Sequence, residues 1–282
     1  MKGKMRQGVL RSLGNINCEI GEIPVPKVGE VLVKVYAVGI CGSDIERVLK
    51  TGSWHYPTTL GHEFAGEIVE IGEEIEKFKV GDRIVANPML SCGECEYCTS
   101  GMPNMCENYK YIGSSVNGAF AEYVPVREKN LFHLPDNVDY ITGATIDPIT
   151  IALHGVRQAK LEAGTDAVVF GCGPVGLFVI EWLKALGAKK VIAVDVVKEK
   201  LDIALKLGAT IAINSLEVDP VEKLNKFTGG NGMALAFNIT STPITIDQAI
   251  KSLGKHGQLV CIGTPHSNVT ISMEGFERIL RR

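Results

Sequence analysis

The chain has no stretch approaching the ~18 uninterrupted apolar residues that a membrane-spanning helix needs. Met1 to Gly8 is basic but lacks the apolar core of a secretory signal, so the expected location is the cytoplasm. Charge of one sign is also missing. The 29 Lys and Arg against 32 Asp and Glu, with no block of like charge, leave no broad footprint for nucleic acid or an anionic membrane, and point instead to a small-molecule partner. There is no internal repeat and no linker rich in Ser or Pro. A composition of 45% hydrophobic and 22% charged residues excludes a disordered chain, and 282 residues amount to about two domains.

Two patterns divide the sequence. From about Val31 to Arg127 short alternating runs (Val31 to Tyr36, Ala65 to Ile71, Arg83 to Ala86, Ala119 to Val126) are punctuated by Gly, Pro and Asn, as in an all-β, barrel-like unit. From about Asp147 the period changes. A helix is expected over Pro148 to Ala159, followed by strands at Ala167–Phe170, Lys190–Val194, Ile211–Ile213, Ala234–Ile239 and Gln258–Ile262, with helices at Pro174–Leu186 and Lys198–Leu207 between the first three. Asp219-Pro220 and Thr242-Pro243 each read as an N-cap followed by Pro at the first helical position. This alternation predicts a parallel sheet with crossover helices, and a domain boundary near residue 155.

Eight cysteines are many for a reducing compartment, and their placement explains them. Cys92, Cys95, Cys98 and Cys106 crowd into fifteen residues, a spacing that lets four thiolates surround one tetrahedral ion. Zinc is the default for such a closed sulfur site, whose role would be structural. Four unrelated buried cysteines and an iron–sulfur cluster are the alternatives. Further on, the strand Ala167–Phe170 runs into Gly171-Cys172-Gly173-Pro174-Val175-Gly176 and then a helix, and the next strand ends in Asp195. In that context the motif is a dinucleotide site. Gly171 permits the turn, Gly173 the approach of a pyrophosphate, Pro174 and Val175 open the helix, and Gly176 allows close helix–strand packing. Asp195 accepts from the adenosine ribose and repels a 2′-phosphate, which favours NAD over NADP. Lys198 and Lys200 are either solvated or, as the counter-reading, bind that 2′-phosphate, and Lys200 is among the expected cofactor-binding residues. Cys172, at a variable position of the motif, is read as inert.

Cys41-Gly42-Ser43-Asp44 and Gly61-His62-Glu63 each place a metal ligand between β-rich segments. With these residues, the cysteine loop and the Gly171 motif together, the sequence resembles the zinc-dependent medium-chain dehydrogenases. Within them it is similar to the polyol branch of sorbitol dehydrogenases and, more closely, galactitol-1-phosphate 5-dehydrogenases. The resemblance covers Val38 to Asp44, Tyr56 to Gly66, Tyr111 to Pro135, Gly143 to Ala152 and the ending Gly263 to Arg282. It implies a GroES-like β-barrel catalytic domain over residues 1–155 and a Rossmann doubly wound sheet over 156–282. It also implies two zinc ions per chain, NAD, and a dimer or tetramer. A catalytic zinc would be held by Cys41, His62 and a carboxylate, either Glu63 or Asp147, the latter standing where relatives usually carry Glu or Cys. Asp44 would hydrogen-bond the far nitrogen of His62, and Ser43 would take or pass on the substrate proton. Glu46 stands where alcohol dehydrogenases often end the relay in His.

Trp54, His55 and Tyr56 are candidates to line a substrate pocket. His133, His154, His256 and His266 are read as structural. The expected substrate is a polyol or polyol phosphate of the galactitol 1-phosphate type; a threonine- or butanediol-type alcohol is the rival within the enzyme class. A non-catalytic zinc- and dinucleotide-binding fragment is the rival outside it. That last reading arises because only five of six expected sheet strands are found and Phe276 to Arg282 reads as the helix that would feed the sixth. An intact product is therefore expected to extend beyond Arg282.

Overall fold

The computed structural model describes residues 2–240, 242–263, 267–273 and 275. His266 and the helix expected at Phe276 to Arg282 lie outside the described residues. The chain divides into two compact units, Met1–Asp147 and Pro148–Arg282.

The first unit is built from β1 (Lys4–Ser12), β2 (Asn15–Glu22), β3 (Glu30–Gly39), the short helix α1 (Gly42–Glu46), β4 (Thr58–Thr59), β5 (Glu63–Ile71) and β6 (Arg83–Ala86). It continues with β7 (Met89–Leu90), α2 (Glu96–Thr99), β8 (Lys110–Tyr111), β9 (Tyr123–Arg127), β10 (Leu131–His133) and α3 (Tyr140–Ala144). The strands expected to close a barrel form open ladders instead, in the orders β2-β1-β4, β10-β6-β5-β3-β9 and β7-β8. Alternation explains the five-stranded ladder: Val31, Val33, Phe64, Ile68, Ile84, Val124 and Val126 turn inward onto one core with Ile112 and Ala119. Ala119 and Phe120, expected in a strand, donate instead to the carbonyls of Gly61 and Leu60, at 2.8 Å each, so β9 begins only at Tyr123. At the end of that ladder, Val35 N donates to Glu122 O and Glu128 N to Gly29 O, which fixes the hydrogen-bonded register of β9 on β3. Pro125, opposite Leu32, falls at the intervening position that faces away from β3.

The second unit begins within α4 (Ile146–Gln158), which starts two residues before the expected Pro148. It alternates β11 (Ala167–Phe170), α5 (Pro174–Ala185), β12 (Val191–Asp195), α6 (Lys198–Lys206), β13 (Ile211–Asn214), α7 (Pro220–Phe227), β14 (Met233–Asn238), α8 (Pro243–Ser252) and β15 (Leu253–Cys261). All five strands are parallel, in the order β13-β12-β11-β14-β15, which is the Rossmann order. β11 lies at its centre with every side chain buried. Each Val or Phe so covered is worth ~1.5–3 kcal/mol. Asp219 caps α7 by accepting from Val221 N (2.7 Å) and Glu222 N (3.4 Å). β15 starts at Leu253, earlier than the expected Gln258, because the ladder resumes across an irregularity in which His256 adopts φ 59°.

Candidate functional site

β3 ends at Gly39, and two residues later Cys41 opens α1, which brings its thiol beside the start of β5. There one ligand atom each from Cys41, His62 and Glu63 lie within 4.8 Å of one another. Gly39 pairs with Glu63, and a Cβ there would strike the Glu63 carboxylate, so a glycine is what gives that side chain its place. Behind His62 sits Asp44, 2% exposed, with Oδ1 3.6 Å from Nδ1 of the imidazole, an ion-pair distance rather than the expected hydrogen bond. Asp44 Oδ2 accepts from Cys41 N at 3.0 Å, whereas its Oδ1 has no hydrogen-bond partner.

The electrostatics suit a cation. Burial disfavours a charged His62, yet Asp44 and Cys41 outweigh it and push the imidazole up to about 10. Burial lifts the Glu63 carboxyl, with His62 opposing and Asp147 adding to the lift. Burial lifts Asp147 as well, again opposed by His62. A thiol, an imidazole and desolvated carboxyls thus gather where one divalent ion could sit, and this mixed donor set fits zinc. Of the two competing carboxylates, Glu63 joins the cluster with Cys41 and His62, while Asp147 is close enough to feel His62 but outside that group.

The cysteine lobe is a second convergence. Sγ of Cys92 lies 3.9 Å from that of Cys98 and 3.5 Å from that of Cys106, and all four sulfurs are within 4.8 Å of one another. Tetrahedral bonds of ~2.3 Å to zinc would separate sulfurs by about 3.8 Å, whereas a disulfide needs about 2 Å. The spacing therefore fits a closed zinc site. Backbone N–H groups of Glu94 and Cys95 lower the Cys92 thiol, and those of Cys98 and Glu107 lower Cys95; burial raises Cys98.

In the second unit the sequence motif becomes a bare backbone surface. Gly171 has φ 99°, and a side chain there would meet Thr240. At Gly173 a Cβ would meet nothing within 4 Å, which leaves the turn open to a phosphate at the start of α5, with Pro174 and Val175 in its first turn. A Cβ at Gly176 would collide with the Gly171 carbonyl, directly after β11, and touch Ile239, directly after β14, so the helix comes this close to the strand ends only with glycine there. Asp195, at the end of β12, accepts from Cys172 N (2.7 Å), Val196 N (2.8 Å) and Val197 N (2.9 Å). Lys200 is exposed on α6. The buried Cys172 thiol is pushed up to about 12, by burial first and then by Asp195, as an inert thiol should be.

Ser43 is half-buried on α1, and Glu46 is likewise half-buried at its end. Trp54 is 76% exposed, on a loop that is tied back where Ser53 Oγ donates to Ser114 O at 3.3 Å. The Tyr56 hydroxyl accepts from Ser53 N at 3.3 Å. His55 contacts Pro57 O and the Thr58 hydroxyl. His133 stacks on Phe78, with centroids 4.4 Å apart, while His154 and His256 are exposed. One site residue was missed. Tyr111 meets His62 edge-on, centroids 5.4 Å apart at 68°, and its phenol is held well above the ordinary range, by burial first and then by the surrounding acids and thiol. The glycines at 113 and 118 signal a tight turn, but nothing local in the sequence says which residue it touches.

The family model for the alcohol dehydrogenase GroES-like domain matches residues 27–136, and that for the zinc-binding dehydrogenase matches residues 174–280. A sorbitol dehydrogenase of Bacillus subtilis is 36% identical over 271 residues, covering 94% of this chain and 76% of its own. The (R,R)-butanediol dehydrogenase of the same organism is 40% identical over 88% of this chain and 74% of its own. The crystal structure of galactitol-1-phosphate dehydrogenase from Escherichia coli superposes with a TM-score of 0.93 at 35% identity, over 98% of this chain and 80% of that one.

Proposed function

The chain belongs to the zinc-dependent medium-chain dehydrogenases, and from that membership we propose that it oxidises a secondary alcohol of a polyol or polyol phosphate with NAD as acceptor. In this reading residues 1–155 are the catalytic domain, residues 156–282 the NAD domain, and the assembly is a dimer or tetramer. Eight free thiols suit the reducing cytoplasm, and no helix among the described residues is long and apolar enough to cross a membrane.

One observation carries the proposal: the convergence of Cys41, His62 and Glu63 with a buried Asp44 behind the imidazole. Cys41, His62 and Glu63 would hold the catalytic zinc, with Asp147 as the carboxylate that exchanges with Glu63. When bound, zinc supplies Lewis acidity that lowers the pKa of an alcohol hydroxyl. Asp44 turns Nδ1 of His62 toward itself, so that Nε2 is the nitrogen free to ligate. Ser43, from its place on α1, would relay the hydroxyl proton, accepting it at Oγ as its own hydroxyl proton passes on to water. Trp54 and Tyr56 bound the substrate side, where polar groups suit a substrate with several hydroxyls. Cys92, Cys95, Cys98 and Cys106 would hold the structural zinc, which adds no open position and so no chemistry.

When bound, NAD supplies the acceptor for the hydride leaving the carbinol carbon. The turn of Gly171, Gly173, Pro174, Val175 and Gly176 would cradle its pyrophosphate, and Asp195 and Lys200 would meet the adenosine ribose. The 40% identity to a butanediol dehydrogenase favours a vicinal diol as the second reading.

Zinc analysis combined with NADH formation from galactitol 1-phosphate, sorbitol, threonine and butanediol tests both. Two zincs per chain and turnover of a polyol that a strong chelator abolishes is the expected result. Full turnover from a demonstrably zinc-free protein would refute the mechanism, and preference for butanediol or threonine would refute the substrate.

A further inference from the structure

Among the described residues two side chains flank the His62 ring besides its fellow ligands Cys41 and Glu63, and of these two only Asp44 belongs to the machinery derived above. The other is Tyr111, whose position is fixed from two directions. β7 and β8 form the stem of the four-cysteine lobe: Leu90 lies two residues before Cys92, Lys110 four residues after Cys106, and Met89 pairs with Tyr111. Tyr111 is thus the residue at which the lobe re-enters the core, next to buried Ile112. Its backbone is locked in a tight turn, with N donating to Ser115 Oγ at 2.6 Å and O accepting from Ser114 N, Ser115 N and Val116 N at 3.1–3.3 Å.

That turn is pressed onto the residues just before His62. A Cβ at Gly113 would come within 2.6 Å of Gly61 O, and one at Gly118 would collide with the same atom, so two backbones meet where only glycine fits. Gly118 N donates to Thr59 O (2.7 Å), and Thr59 N to Asn117 Oδ1 (3.1 Å). With Leu60 and Gly61 also bonded to Phe120 and Ala119, the chain on either side of the Tyr111–His62 contact is immobilised. The aromatic contact then limits rotation of the imidazole, in addition to the ion pair of its Nδ1 with Asp44.

We propose that Tyr111 is a positioning residue that holds the His62 imidazole in its ligating orientation, anchored by the stem of the cysteine lobe. This rests on the reading that Cys41, His62 and Glu63 hold a metal ion. The ring, not the hydroxyl, carries the effect, because the contact is ring to ring.

The test is cobalt binding by the full chain, followed through visible absorption, which distinguishes the mixed thiolate, imidazole and carboxylate site from the all-thiolate one. Tyr111→Leu should weaken cobalt at the mixed site by about 10-fold, the loss usual for a partner that orients a ligand, and should shift its bands. Tyr111→Phe should restore both affinity and bands. If the Leu variant does not fold, Tyr111→Met is read in the same way. A folded Leu or Met variant with native bands and affinity would overturn the proposal, as would a Phe variant that behaves like Leu. Failure of the unaltered chain to take cobalt at the mixed site would overturn the metal reading and this inference with it, an outcome separable from the others because it needs no substitution.

Discussion

Asp195→Ala separates two jobs that one carboxylate could be doing. In the structure Asp195 accepts three backbone N–H groups, at 2.7, 2.8 and 2.9 Å, so part of its role is to brace the Gly171–Gly173 turn against the end of β12. Removing it leaves the N–H of buried Cys172 without an acceptor, at about 1–3 kcal/mol. Val196 is exposed, and its N–H regains water at little cost. If Asp195 also accepts from the ribose, a second and independent loss follows: a hydrogen bond to a charged group contributes ~1.5–3 kcal/mol. At 1.4 kcal/mol per decade that is roughly 10- to 150-fold in the dissociation constant of NADH. NADPH should be unaffected or improved, because the charge that repels its 2′-phosphate is gone. Fluorescence titration with both reduced cofactors gives the ratio, and thermal unfolding gives the brace. A lower melting temperature with an unchanged NADH to NADPH ratio would refute the ribose role and leave Asp195 a purely structural group.

Three further outcomes are expected. Cys98→Ser should lower zinc from two to about one per chain and loosen the lobe, whose exposed Met102 and Met105 leave it little core of its own; a folded variant that keeps both ions but is inactive would contradict the structural role. Gly61→Ala should cost ~1–3 kcal/mol for the φ of 90° alone, and more because its Cβ would come within 2.8 Å of Phe120 N, so both melting temperature and metal occupancy should fall. Asp219→Ala, by removing the N-cap of α7, should cost ~0.5–2 kcal/mol in chemical denaturation and leave cofactor affinity unchanged.

How much of this was legible in the sequence depended on range. The cysteine lobe and the Gly171 turn are written within short segments, so local spacing was enough to find them, and Asp219-Pro220 marked its helix for the same reason. The start of β15 was misplaced because the Met233–Leu253 pair lies beyond an irregularity in the ladder, and only pairing with β14 brings Leu253 into the strand. Ala119 and Phe120 look like strand, but the carbonyls of Gly61 and Leu60, far away in sequence, claim their N–H groups. Tyr111 was invisible as a site residue because its contact with His62 depends on three glycines meeting across the fold, and no local pattern encodes such a meeting. That Glu63 rather than Asp147 joins the cluster with Cys41 and His62 likewise depends on a partner distant in sequence, Gly39, lying opposite it.

Pro125 bears on how this protein behaves in a crowded solution. Along β9 the backbone positions turned away from β3 are those of Tyr123, Pro125 and Arg127, and they are what a stray extended chain would meet. Proline offers no N–H at the middle of the three, so an incoming strand finds donors only at the two ends and cannot zip along the edge. Replacing Pro125 with Val would complete the row and give this edge the continuous donors on which aggregates grow, even though no bond to β3 would be gained or lost.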